Sequence, residues 1–242
     1  MRARLALAGL TCCSVFAAAA DAGECKVGAE RAATSPLAGI ERVEIEAQAG
    51  DLHVNGVTGS GGVDARGKAC ASSDDMMAGI ELEMTRDANV LHIRSATPSG
   101  GMLHLFGRSP YATLDLTVTL PANLPVKVTD SSGDLEVAGV LSLDLRDDSG
   151  DILVHDVAQD VVIDDDSGDL TVTGVQGNVT LKDGSGDIKV NKVAGKVEVT
   201  SDGSGDINVD EAARGLAVLS DGSGDINFSR VRGSIQIPAK TR

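Results

Sequence analysis

From residue 130 onward the chain alternates apolar and polar positions in short bursts: Leu135 and Val137, Ile152 and Val154, Leu170 and Val172, Ile188 and Val190, Ile207 and Val209, Ile226 and Phe228. A period of two is the pattern of a strand with one face buried. A second series, Gly-x-apolar-x-apolar, lies between many of these bursts. It runs through Gly177 with Val179 and Leu181, Gly195 with Val197 and Val199, and Gly233 with Ile235 and Ile237. Each period therefore carries two short strands.

Ahead of each strand of the first series stands one phrase, Asp-x-Ser-Gly-Asp. It begins at Asp130, Asp147, Asp165, Asp183, Asp202 and Asp221, at spacings of 17, 18, 18, 19 and 19 residues. A phrase that recurs at a near-constant period marks one supersecondary unit stacked on itself. Half a period holds a strand of about five residues and a turn of about four, with glycine supplying positive backbone torsions. The expected fold is all-β, a narrow β-solenoid with two short strands in each coil. Coils stacked at about 4.8 Å make the repeat region a rod on the order of 30 Å long.

Upstream, the alternation starts at Ile40, passes Val43, Ile45 and Ala47, and reaches Gly50-Asp51-Leu52-x-Val54, which reads as one degenerate coil. Strands are also expected at residues 80–84, 90–93, 114–120 and 126–128, longer and less regular than the repeats, as in a capping region. The organisation that follows is a leader at 1–20, a tether at 21–37, an N-terminal β region and solenoid cap at 38–129, and the repeat solenoid at 130–242. Within the cap, a Gly-rich loop at 96–111 carries Met102, Leu103, Leu105 and Phe106. These side chains are expected to shield an open edge of the solenoid or, on the alternative reading, to contact a partner. At the far end Pro238, Lys240 and Arg242 are residues of the kind that oppose edge-to-edge stacking.

The leader has Arg2 and Arg4, an apolar run over 5–16 and alanines at 17–20, the form of a cleaved secretory signal, with cleavage expected after Ala20 or Ala22. Cys12 and Cys13 lie inside it, without the leucine-small-small approach of a lipoprotein. Cys25 and Cys70 remain, and an even pair in an exported chain points to a disulfide. The expected location is the periplasm or the cell exterior. Later segments are too short to span a bilayer as helices, so no membrane insertion is expected. The formal charge of −15 becomes −17 without the leader, which argues against nucleic acid as a partner. Tryptophan is absent and only Phe106, Tyr111 and Phe228 supply aromatic rings after the leader. Few side chains are therefore available for gripping sugars or apolar ligands.

Stacking aligns the first aspartates of the phrases in one column and the last, Asp134, Asp151, Asp169, Asp187, Asp206 and Asp225, in another, along one corner of the rod. Neighbouring charges about 5 Å apart repel by roughly 0.8 kcal/mol in water and about 3 kcal/mol at an effective dielectric of 20. One offset is hydrogen bonding to the Ser and Gly amides of the turns. Another is Ca²⁺, since Asp-Gly-Ser-Gly-Asp at 183, 202 and 221 partly resembles calcium-loop sequences. Against calcium, Asp follows Gly directly and no bidentate Glu follows. His53, His92, His104 and His155 lack metal-ligand spacing. A nucleophile elbow, a phosphate loop and Cys-x-x-Cys are also missing.

Gly50-Asp51-Leu52-x-Val54, the stretch Leu120-Pro121-Ala122-Asn123-Leu124-Pro125-Val126 and the Ser-Gly-Asp-apolar-x-apolar repeats resemble a family of exported bacterial β-strand-repeat proteins that carry an adhesin label. The resemblance covers about residues 38–237. It implies the solenoid fold and supplies no binding residue. The expectation for function is a non-enzymatic envelope protein that binds or scaffolds an unknown envelope or extracellular ligand. The alternative is a β-helical enzyme acting on polysaccharide, which needs a groove lined by acid and base together.

Overall fold

A computed structural model describes residues 25–98 and 109–239. The expected leader and the loop residues Met102, Leu103, Leu105 and Phe106 lie outside the described residues. The repeats form strand pairs in chain order: β8 (Pro125–Asp130) with β9 (Leu135–Ala138), β10 (Ser142–Asp147) with β11 (Ile152–His155), and β12 (Val161–Asp165) with β13 (Leu170–Val175). These continue as β14 (Val179–Asp183) with β15 (Ile188–Val193), β16 (Val197–Asp202) with β17 (Ile207–Ala212), and β18 (Gly215–Val218) with β19 (Ile226–Ser229), ending at β20 (Ser234–Gln236). Successive coils pair in parallel and in register, so Ile152 lies on Leu135 and under Leu170, and Leu143 on Val126 and under Val161. The interior is therefore a set of ladders in which like side chains stack on like.

The N-terminal strands are β1 (Val27–Pro36), β2 (Arg42–Glu46), β3 (Leu52–Val57), β4 (Gly62–Ala71), β5 (Glu81–Asp87), β6 (Val90–Ala96) and β7 (Ala112–Pro121), with one short helix, α1 (Asp74–Ala78). The expected degenerate coil is β2 with β3. It lies between the coil made by β6 and β7 and the first repeat coil, so the first coil in sequence is the second in space. The supposed tether is an ordered strand from Val27. β1 pairs antiparallel with β4 over ten residues, and the Cys25–Cys70 disulfide pins its start. Antiparallel β1, β4 and β5 close this end, because a chain that turns back on itself stops the parallel coil from propagating. Arg31 locks the cap, donating from Nε to the Ile80 carbonyl at 3.0 Å and from Nη2 to the Met77 carbonyl at 3.3 Å.

The glycine of each phrase has a fixed role. Gly133, Gly150, Gly168, Gly186, Gly205 and Gly224 have φ between 124 and 142°. A Cβ on Gly168 would sit 1.9 Å from the Gly150 carbonyl oxygen, and the column repeats that approach from coil to coil. The turn thus needs a positive φ and a bare backbone at the same atom.

Gly168→Ala is expected to destabilise the fold by about 3 kcal/mol or more, read from the midpoint of urea unfolding, through both strain and contact. Gly61→Ala, with open space around its Cβ, is expected to stay within about 0.5 kcal/mol of the parent.

Candidate functional site

The two aspartates of each phrase do different things. In β8 the inward positions are Val126, Val128 and then Asp130; in β10 they are Leu143, Leu145 and Asp147; in β12, Val161, Ile163 and Asp165. Alternation therefore delivers the first aspartate to the interior as the third rung of an apolar strand. β14 and β16 do the same with Asp183 and Asp202, the latter after a register shift between their partners. All five are buried and stacked in register. Asp221 continues the column through a single bridge at the last coil, where it is half-buried.

These carboxylates have few partners. Asp165 and Asp183 each accept from the serine amide two residues on, Ser167 N and Ser185 N, at 3.2 Å. Both oxygens of Asp130, Asp147 and Asp202, and one oxygen each of Asp165 and Asp183, have no hydrogen-bond partner. Burial pushes the Asp130 and Asp165 carboxyls up to about 7, and the neighbouring column members Asp147 and Asp183 add to it. Burial likewise raises Asp183 and Asp202 to about 6 and moves Asp147 in the same direction. Turn amides pull the other way, more weakly. A column of neutral carboxyls can pass hydrogen bonds along itself, which a column of carboxylates cannot.

The second aspartates face outward and form the opposite kind of ladder. Each offers Oδ1 to the backbone amide of its equivalent in the next coil: Asp134 to Asp151 N at 3.2 Å, Asp151 to Asp169 N at 3.0 Å, Asp169 to Asp187 N at 2.9 Å, Asp187 to Asp206 N at 3.0 Å and Asp206 to Asp225 N at 2.9 Å. The series begins in the N-terminal region, where Asp115 accepts from Asp51 N at 3.3 Å and Asp51 from Asp134 N at 3.1 Å. The amide of Asp206 holds the Asp187 carboxyl below its usual range, with Lys189 assisting. The two columns expected together along one acidic corner are thus one inside and one outside, because Ser and Gly between them turn the chain. Among the described residues no group of three or more His, Cys, Asp or Glu side chains is placed to hold a metal ion.

A third arrangement was not anticipated. On the outer face, Glu136 accepts on one oxygen from His53 Nδ1 and on the other from His155 Nε2, each at 3.2 Å, and His155 Nδ1 lies 3.0 Å from Asp156. His155 lowers the Glu136 carboxyl most, and Asp156 is the main cause of the raised His155 imidazole. The register of Leu52-x-Val54 on Leu135-x-Val137 already places His53 beside Glu136, so the pair was legible once coils were aligned. The surface around it, formed by His53, Glu136, Leu153 and Asp151, is a shallow groove. His92 instead pairs with Glu44 at 3.4 Å, and His104 lies outside the described residues.

Linkage sets the sign of the pH response. A carboxyl raised in the folded state keeps protons that the unfolded chain, with a value of about 3.9, has already released. The column's contribution is therefore present below about pH 4 and lost as pH rises through the folded values of about 6 to 7. The thermal midpoint is expected to fall between pH 5 and pH 8, by about 2–4 °C for each kcal/mol lost. His155 contributes loss of the same sign, so the column is identified by Asp165→Asn, which should flatten the profile and raise the midpoint at pH 8.

Comparison with known proteins agrees with this architecture. A putative adhesin from Bacteroides fragilis is similar in structure with a TM-score of 0.52 at 18% identity, over 87% of this chain and 97% of that chain. A putative cell adhesion protein from Clostridium sporogenes gives a TM-score of 0.41 at 13% identity, over 84% and 99% of the two chains. A putative lipid binding protein from Parabacteroides distasonis gives 0.42 at 15% identity, over 86% and 96%. At 18% identity the likeness to the Bacteroides protein concerns the fold alone. No curated protein matches the sequence. The Toastrack DUF4097 family model matches residues 80–242, well over half of the chain, and with the stacked phrases and their glycine column in place, the protein belongs to that family.

Proposed function

We propose that the protein is a non-enzymatic module of the cell envelope, outside the cytoplasm, that binds or scaffolds an extracellular ligand through its long lateral faces. The observation that carries this reading is the distribution of side chains. The interior is filled by the apolar ladders and the aspartate column, and the exposed surface consists of two ten-stranded faces with side chains at strand spacing. Regular columns such as Thr171, Lys189, Asn208 and Asn227, with Thr173, Asn191, Asp210 and Ser229 beside them, present repeated polar groups suited to a repeating ligand. The adhesin names of the Bacteroides and Clostridium proteins agree with a binding role. The Cys25–Cys70 disulfide and the apolar leader support export.

A second reading, catalysis on an extracellular polysaccharide, has one observation in its favour: Glu136 held between two histidines beside a shallow groove. Other exposed acids are held in place, as Asp164 is by Arg146 and Lys182 and as Asp134 and Asp151 are by backbone amides.

Labelled protein is expected to bind at least one member of an array of bacterial surface glycans or isolated cell-wall sacculi, without releasing reducing ends. Release that disappears in Glu136→Gln would establish the enzymatic reading instead. Failure to bind any glycan or sacculus would remove glycan binding from the proposed function.

A further inference from the structure

The outward residues of β13, β15 and β17 form two walls with a trough between them. Thr171, Lys189 and Asn208 stand in register along one wall, and Thr173, Asn191 and Asp210, two residues further on in each strand, along the other. The walls are therefore about 7 Å apart, and each repeats at about 4.8 Å. Val190 and Val209, whose side chains point inward, supply the floor. The result is a groove of about 420 Å³ that runs along the rod, across the strands, and continues onto β19.

The charges of this trough are cancelled in place. Lys189 lies 3.5 Å from both Asp169 and Asp187, and Asp210 is paired with Arg230. The rest of the walls is hydroxyl and carboxamide, and among the described residues the side chains of Thr171, Thr173 and Asn191 hydrogen-bond to no other protein group. Oδ1 of Asn191 is in addition shielded from water. A shielded acceptor without a donor is a cost that a donor on a ligand removes. The outer face of the other sheet has no such row of free groups, because ion pairs cross it between strands: Arg94 with Glu46 at 3.2 Å, Arg146 with Asp164 at 3.4 Å and Lys182 with Asp164 at 2.7 Å.

We propose that the trough binds an uncharged, linear glycan of equatorially linked pyranose units, lying along the rod with one unit to each coil. The inference rests on the binding role proposed above and names its ligand class. Period selects the polymer: an extended β-1,4-linked chain advances with each unit by nearly the strand spacing of about 4.8 Å, so every unit meets the same pair of walls. An α-1,4-linked chain winds out of a straight trough. Charge selects against ionised polymers. The outer column of Asp169, Asp187 and Asp206 runs beside the trough, two residues before the first wall, and repels a polyuronate. Inside the trough the one lining carboxylate, Asp210, already has its cation, so an ammonium-bearing chain gains nothing there. A protein partner favours an apolar, aromatic centre, whereas Phe228 on β19 is the one aromatic residue lining this groove. With a single ring, the units are held by hydrogen bonds, and affinity accumulates by repetition over the coils.

The test is calorimetric titration of the disulfide-intact protein with cello-oligosaccharides and N-acetylchito-oligosaccharides of increasing length, with NMR of the side-chain amides of Asn191 and Asn208. At least one series is expected to bind, with affinity rising about ten-fold or more from two units to four and levelling off beyond about five, when the trough is full. Both amide resonances should shift. Asn208→Ala should weaken the four-unit ligand about three- to ten-fold, the loss of one hydrogen bond, and Thr173→Arg, which fills the trough, should weaken it further. Thr180→Arg, on the other sheet, should leave it unchanged. Malto-oligosaccharides, oligogalacturonate and deacetylated chito-oligosaccharides should bind at least about ten-fold more weakly. Binding of neither series, affinity independent of length, equal or tighter binding of a charged or α-linked chain, or shifts confined to other residues would each overturn the inference. Glycans or sacculi that bind without responding to Thr173→Arg overturn it and leave the binding role standing, whereas no binding of any glycan or sacculus removes both. The NMR measurement on the unaltered protein locates the site even if a variant fails to fold.

Discussion

Parallel, in-register stacking of coils is the constraint on which everything else in this molecule depends. When each coil lies on the one before, a residue is packed against its own equivalent, and any property it has is multiplied into a column. For valine and leucine this yields dry ladders with each side chain nested on its like. For glycine it yields a track of close backbone approaches that a single methyl group interrupts. For aspartate the same rule is costly, since like charges are brought as near as the strands allow. The protein meets that cost in two different ways within one five-residue phrase.

Outside, the second aspartate trades repulsion for a hydrogen bond to the amide of the following coil, and the series from Asp115 through Asp51 to Asp225 becomes a second set of rungs beside the backbone ladder. Charge is retained because water and donors surround it. Inside, the first aspartate is buried, most of its oxygens have no hydrogen-bond partner among the protein groups, and its neighbours are carboxyls in the same position. Protonation is then the cheapest accommodation, and the interior becomes a titratable spine in an otherwise apolar core. Unlike an ion pair, this arrangement leaves the stability of the rod tied to the acidity of its surroundings.

The unequal ends follow from the same logic. A stacked array has no natural boundary, so each end needs a device that departs from the repeat. The N-terminal device reverses strand direction, adds a helix and fastens the edge strand with a disulfide. The C-terminal coils retain the repeat pattern through β20, and among the described residues Phe228 and Ile235 are exposed there.

Alternation, a near-constant period and six copies of one phrase were enough to read the solenoid from the sequence, because each is a local property and repetition makes the local signal unmistakable. Cys25 and Cys70 were legible for the same kind of reason, an even pair of cysteines after an apolar leader. The inward turn of Asp130, Asp147 and Asp165 was also written in the pattern, as the third position of apolar-x-apolar-x-Asp, but aspartate reads as a surface residue until the strand is known to continue through it. Only the tertiary structure decided that the coil at residues 42–57 lies between β7 and β9 and that β1 is a strand. It alone brought His53, Glu136 and His155 together and left Phe228 and Ile235 uncovered. Those outcomes depend on which coil meets which, and on what lies beyond the last one, relations between distant segments that no local period encodes.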